Sequence, residues 1–260
     1  MQDKQYFKIK TSFANYYLQV QHYVDDEDFN YMDKIILGSK TKCMVMSVYL
    51  DGDAPNIDAI AYGDNCNEAG THKRHIGTIH MIKCGISFVR NIYRNYLKKY
   101  GIQTIILKDK SSIQCYREYE QSLPYFYIAK HGKTWYEKHL GAVPETNIER
   151  YKQDKQKLVE ALKTKPTLKF KMKGLDAEYE KHKSIGTFIK HITNNYDCIA
   201  LKGWFQNFLE EYLPYLVGMR WNVVLEDNSI DIMIESLSSA PQNTFIMRGA
   251  SNLFDIILGN

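Results

Sequence analysis

The segment between Ile57 and Asp109 constrains the fold more than any other part of the chain. Two short apolar runs, IDAIAY at 57–62 and IQTIILKD at 102–109, bracket a stretch whose apolar residues fall at Ile79, Ile82, Ile86, Val89, Tyr93 and Leu97. Steps of three and four residues place that stripe along one face of a helix. Lys98 and Lys99 suit the negative end of such a helix, and Gly101 suits its C-cap. The segment therefore reads as a strand–loop–helix–strand unit.

The neighbouring segments extend this into an α/β (α+β) chain. YFKIKTSF (6–13) alternates like an opening strand, and FANYYLQVQHYV (13–24) fits either strand or helix. TKCMVMSVYL (41–50) ends at the turn signal DGDAPN and pairs with IDAIAY as an antiparallel hairpin. A second helix is expected over 123–139, capped by Ser122 with Pro124 in its first turn. LGAVPE then turns into a short strand. After Pro144 the texture changes. A charged helix covers 146–163, TLKFKMKG (167–174) alternates like an edge strand, and helical patterns cover 175–194 and 203–217. RWNVVLED (220–227) and IDIMIESL (230–237) read as a final hairpin turning at DNS. The expected organisation is an α/β core over 1–145 and a helical extension over 146–260, whose hairpin completes the core sheet.

Composition narrows the function classes. A 260-residue chain that is 44% hydrophobic can bury one large or two small cores. A net charge of +4 does not describe a general nucleic-acid binder. Residues 151–183 nevertheless hold ten lysines against five acidic residues. That segment is either a solvated helical face or a local basic face built on Lys163, Lys165, Lys169, Lys171 and Lys173, the last three on one side of a strand. The cysteines at 43, 66, 84, 115 and 198 are odd in number and widely spaced, which predicts free thiols in a reducing compartment. The N-terminus has no apolar core for a signal peptide, and no run of about 18 apolar residues occurs. The expectation is a cytoplasmic protein outside the membrane.

The chemistry centres on THKRHIGT (71–78), just ahead of the long helix. The first amides of a helix lack intrahelical partners, and its dipole adds about half a positive charge there. Lys73 and Arg74 would attract a phosphate, and Gly77 would let it approach the backbone. The plain alternative is a solvated turn. Other clusters are weaker. His72, His75, His80 and Cys84 could approach a metal, but read more simply as surface histidines, and Cys66 lacks an orienting group for nucleophilic work. No GxxxxGK[ST], HExxH or GxSxG motif occurs.

The order hairpin, basic turn, amphipathic helix, strand, second helix ending in WYEKHLGAVP resembles the GCN5-related N-acetyltransferase (GNAT) superfamily over about residues 40–145. That family seats the acetyl-CoA pyrophosphate on a turn of pattern [QR]-x-x-G-x-[GA]. The matching run is His72-Lys73-Arg74-His75-Ile76-Gly77, followed by Thr78. It departs from the pattern at His72, where Gln or Arg is usual, and at His75, where glycine is usual. The second helix resembles endings such as LYEKLGF, with the tyrosine one residue further from Gly141 and with Ala142 in place of the aromatic. The chain is also similar to GNAT-like proteins of large cytoplasmic DNA viruses, which would place it in host cytoplasm or virion.

The resemblance implies a mixed central sheet flanked by helices, and acetyl transfer from acetyl-CoA to an amine, with no metal. It implies pyrophosphate binding by residues 72–78 and alignment of the pantetheine near Ala59 to Tyr62, chiefly Ala61 and Tyr62. Glu68 is the expected base, with Asp58 and Asp64 as alternatives, and Tyr136 is the expected proton donor to the leaving thiolate, the alternative being a core aromatic. Two other readings stand beside it. One is a non-catalytic assembly protein that uses residues 146–260 as a partner or homo-oligomer surface. The other is a nucleic-acid-associated factor using the lysine row.

Overall fold

The computed structural model of the chain describes residues 4–25, 30–60, 65–67, 74–108, 111–115, 119–196 and 198–241. In chain order the strands and helices are β1 (Lys4–Lys10), β2 (Asn15–Asp25), β3 (Asn30–Gly38), β4 (Lys42–Tyr49), β5 (Asn56–Ile60), α1 (Arg74–Ile92), α2 (Arg94–Tyr100), β6 (Thr104–Lys108), β7 (Ser112–Gln114), β8 (Glu120–Ser122), α3 (Leu123–His131), α4 (Trp135–Leu140), β9 (Val143–Pro144), α5 (Ile148–Ala161), α6 (Leu175–Glu180), α7 (Ile185–Asn195), α8 (Phe205–Glu210), β10 (Arg220–Val224) and β11 (Met233–Leu237). This is a mixed α/β chain with a large mixed sheet flanked by helices. It divides into two compact units, one of Met1–Leu107 with Asn222–Asn260, the other Lys108–Trp221. The divisions fall after Leu107 and Trp221.

In the first unit the strand order is β11-β1-β2-β3-β4-β5-β6-β10, with β10 counted there only from Asn222 onward. Every pair from β11 to β5 is antiparallel, and β5 with β6 is parallel. A parallel neighbour requires a crossover, which the chain between β5 and β6, containing α1 and α2, supplies. The ambiguous 13–24 segment is strand because Tyr16, Leu18 and Val20 alternate into the core while the backbone pairs with both β1 and β3. The core lies under α1. Phe7 meets Phe88 edge-on at 5.2 Å. A Cβ at Gly85 would lie 2.2 Å from the Met44 methyl and 2.8 Å from the Met46 sulfur, so glycine lets the helix sit close on β4. Met81, Ile82, Cys84, Ile86, Phe88 and Val89 are all fully buried, so α1 is enclosed on more than the single stripe its periodicity predicts.

The expected closing hairpin is not one. β11 pairs with β1, whereas β10 lies beside β6, where Leu225 N–H donates to the Gln103 carbonyl at 3.0 Å. The link between them is drawn across α1. Ser87 Oγ accepts from Ile230 N–H at 2.7 Å and donates to the Ile230 carbonyl at 2.9 Å, while Arg90 holds Ser229 and Glu226.

The second unit corrects three further expectations. The helix read over 123–139 is two helices, because Gly132 takes the left-handed conformation (φ 70°) and ends α3. A reciprocal capping box between Thr134 and Glu137 then starts α4. The 167–174 segment forms no strand; Phe170 turns into an aromatic cluster with Tyr179, Phe188 and Trp204 at 5.3–5.5 Å. The 175–194 pattern is also split, with a Ser184–Thr187 capping box opening α7. There Ile185 and Gly186 N–H groups donate to the Thr164 and Leu162 carbonyls closing α5. Trp221 is fully buried, with Tyr151 edge-on at 5.5 Å.

The cysteines are not all free. Cys43–Cys66 closes a loop within the first unit and Cys115–Cys198 one within the second, leaving Cys84 as a buried thiol. Separations of 23 and 83 residues showed no pairing pattern because proximity in the fold, not spacing, joins them. Among the described residues no helix is long and apolar enough to cross a membrane.

Candidate functional site

The basic stretch ahead of α1 is partly helical. α1 begins at Arg74, so Arg74, His75, Ile76, Gly77 and Thr78 all lie inside it, where the sequence placed them in a turn. In a helix begun there, the amides without intrahelical partners extend only to about Ile76. Gly77 and Thr78 are buried and Ile76 is exposed, so the backbone glycine that should face a phosphate is turned inward. Ala61, Tyr62, Asp64, Glu68, His72 and Lys73, and the side chains of Arg74 and His75, lie outside the described residues.

A second feature stands at the strand feeding that helix. Val45 pairs with Ala59 and Met46 with Ile57, so Asp58 is an extra residue, a bulge in β5. The recorded β5–β6 pairs are Asn56 with Ile106 and Ile57 with Leu107. Among the described residues Asp58 directly follows the last β5–β6 pair. Ser47 Oγ donates to Asp58 Oδ2 at 2.6 Å. Desolvation raises the Asp58 pKa above its ordinary value, while the Ser47 hydroxyl and the charge of Lys34 oppose that rise. The residue as a whole is exposed, which limits the rise. The registers Gln21–Lys34 and Lys34–Ser47 continue this row across β2, β3 and β4. By strand alternation the row faces away from α1, because the adjacent Asp33 faces it.

On the helix side, Asp33 is 4% exposed and receives the Tyr93 hydroxyl at 2.8 Å, and His22 Nδ1 lies against its other oxygen. Burial and Asp33 together push the Tyr93 pKa up, so this phenol stays a donor. His80, one of the histidines considered for metal, has Nδ1 3.0 Å from Tyr16 Oη and Nε2 3.3 Å from Thr11 Oγ1. Burial pushes the Cys84 thiol up, which keeps it a neutral, unreactive group.

Tyr136 belongs to the second unit and is 5% exposed, with Trp135 at 5.4 Å and Trp221 at 6.5 Å. Its neighbour Glu137 is a hub. Besides closing the capping box, it accepts Tyr151 Oη at 2.7 Å and Lys155 Nζ at 2.6 Å. The lysines at 169, 171 and 173 share no strand face, and Lys163 and Lys165 are engaged by Glu160 and Glu180. A cleft of about 320 Å³ beside Asn147 and Tyr215 has two arginines, but Arg220 meets Glu145 at 2.9 Å and Arg150 approaches Asp154 at 3.5 Å. The bulge at Asp58 was invisible to pattern reading, since a bulge leaves composition unchanged and shifts only register.

Comparison with known proteins returned no match to any family profile, curated protein or solved structure.

Proposed function

We propose that the chain is a GNAT-like acyltransferase that moves an acetyl group from acetyl-CoA to an amine. The observation that carries this reading is the β5 bulge at Asp58, directly after the last described β5–β6 pair and upstream of a helix begun in a basic segment. A bulge leaves backbone N–H and C=O groups out of the ladder, and such groups can align an extended pantetheine and polarise a thioester carbonyl. The first-turn amides of α1 offer the diphosphate its donors. An amine attacks only when neutral, and a carboxylate with a raised pKa is better matched to taking its proton. In this scheme Asp58 accepts that proton, the C–N bond forms, the C–S bond breaks, and the CoA thiolate is protonated from solvent. Tyr136, buried among aromatics, is not required as the donor.

Calorimetric titration with acetyl-CoA, paired with an acetylation assay on a panel of small amines and peptides, tests the reading. Binding, with turnover that Asp58→Asn reduces at least about tenfold, supports it. No binding at millimolar CoA refutes it.

A second reading, a non-catalytic assembly protein on the same scaffold, draws on the inward Gly77 and the buried Tyr136. It expects a stable complex or homo-oligomer on size-exclusion chromatography with no CoA binding. A cytoplasmic location, proposed from the sequence, would require both disulfides to persist against a reducing thiol pool. Counting alkylated cysteines in protein captured from cells decides that point.

A further inference from the structure

A site of different chemistry lies in the second unit, and it does not rest on the acyltransferase reading. Glu178 belongs to α6, His182 to the short link after it, and His191 to α7. His191 Nε2 is 3.1 Å from Glu178 Oε1, and His182 Nε2 is 3.6 Å from the same oxygen. One ligand atom from each residue falls within 4.8 Å of the others. A zinc ion bound at about 2.0–2.1 Å with tetrahedral angles sets its ligand atoms about 3.3–3.4 Å apart. The two carboxylate–imidazole distances bracket that edge length.

The surroundings orient the set. The three side chains are 16–33% exposed, so they are partly enclosed yet open to solvent. Phe188 packs edge-on against the His182 ring at 5.6 Å, and Tyr196 against the His191 ring at 5.9 Å. The Asn195 amide lies 3.3 Å from His191 Nδ1. The same amide nitrogen donates to the His191 carbonyl at 2.9 Å, which fixes its orientation; a metal on Nε2 needs the proton on Nδ1, so metal binding would release the amide contact at Nδ1 while keeping the one to the carbonyl. The other Glu178 oxygen accepts Lys181 Nζ at 2.7 Å, from a lysine whose side chain is 68% exposed. That cation competes for the carboxylate without occupying the oxygen between the imidazoles.

We propose that Glu178, His182 and His191 form a binding site for Zn²⁺ or a similar borderline divalent transition metal. Two imidazoles and one carboxylate satisfy three of four tetrahedral positions and leave the fourth to water or an incoming ligand. The ion would join α6, the link and α7.

The test uses the full, tag-free chain after EDTA treatment and dialysis, with Zn²⁺ titrated against a chromophoric chelator and Co²⁺ as a spectroscopic probe. The expected result is a single equivalent bound, a raised thermal midpoint with Zn²⁺, and visible absorption from four-coordinate Co²⁺. Glu178→Gln and His191→Ala should each weaken binding at least about tenfold, since even outer-shell changes weaken metal sites by 10–100-fold. Lys181→Ala should strengthen it, a gain that misfolding cannot imitate. Zn²⁺ affinity unchanged in Glu178→Gln, His191→Ala and Lys181→Ala, or no Zn²⁺ binding by the wild-type chain, overturns the proposal and leaves the three residues as a hydrogen-bonded ion cluster.

Discussion

Removing the Cys115–Cys198 bridge should be among the most damaging covalent changes to the second unit, and the fold supplies its own reporter. Closing a loop restricts the unfolded chain by an entropy that grows with the logarithm of loop length. For the separation of 83 residues this is about 4.6 kcal/mol, and for the 23 residues between Cys43 and Cys66 about 3.4 kcal/mol. All three tryptophans, Trp135, Trp204 and Trp221, lie in the second unit. Indole emission during urea unfolding therefore follows that unit. With an m-value of about 1.5 kcal/mol/M, the Cys115→Ser/Cys198→Ser variant should lower the fluorescence midpoint by about 3 M, or abolish the folded baseline if the unit has less stability to lose. The Cys43→Ser/Cys66→Ser variant should move the same signal far less. A fluorescence midpoint within about 0.5 M of wild type after losing Cys115–Cys198 would refute the reasoning. So would an equal shift on losing Cys43–Cys66.

Glu137→Ala should destabilise the second unit by about 2–4 kcal/mol in the same fluorescence assay, because it removes half of a capping box and strands the Tyr151 hydroxyl and Lys155. Tyr93→Phe should cost about 1–3 kcal/mol by taking a donor from the buried Asp33, measured by urea unfolding followed with circular dichroism. The Asp58 carboxyl, with its pKa raised in the fold, binds its proton more tightly in the native than in the unfolded state. Stability from this group is therefore lost as pH rises from the ordinary value of 3.8 through the folded value. Thermal midpoints of wild type and Asp58→Asn across pH 3–7 should diverge in the variant's favour over that window, and parallel curves would contradict the shift.

The parts of the fold legible in the sequence were those with a strong period. Ile82, Ile86, Val89, Tyr93 and Leu97 announced α1 and its continuation α2, and Gly101 is left-handed at the C-cap as expected. The start of α1 was missed because Arg74 to Thr78 carry no apolar rhythm. Gly132 fell in phase with its neighbours, so only its backbone conformation reveals that it ends α3. TLKFKMKG alternates like a strand, yet Phe170 is drawn into a helical core. β10 and β11 look like hairpin partners until Ser87 and Arg90 of α1 are seen holding the link between them. At the candidate sites, Asp58 depends on register, and His191 stands too far along the chain from Glu178 and His182 for spacing to bring them together.

The β1–β11 pairing has a bearing on biosynthesis. Tyr6 pairs with Leu237, about 230 residues later in the chain. At ribosomal rates of about 5–20 residues per second, the outer edge of β1 waits roughly 10–50 s for β11 to emerge. An unpaired strand edge is a template for pairing with other chains. Lys4, Lys8 and Lys10 stud that edge with positive charge during the interval, and Lys10 meets Glu235 once β11 arrives. β11 thus acts as a late clasp, and chains truncated before it should be more prone to self-association than their remaining core would suggest.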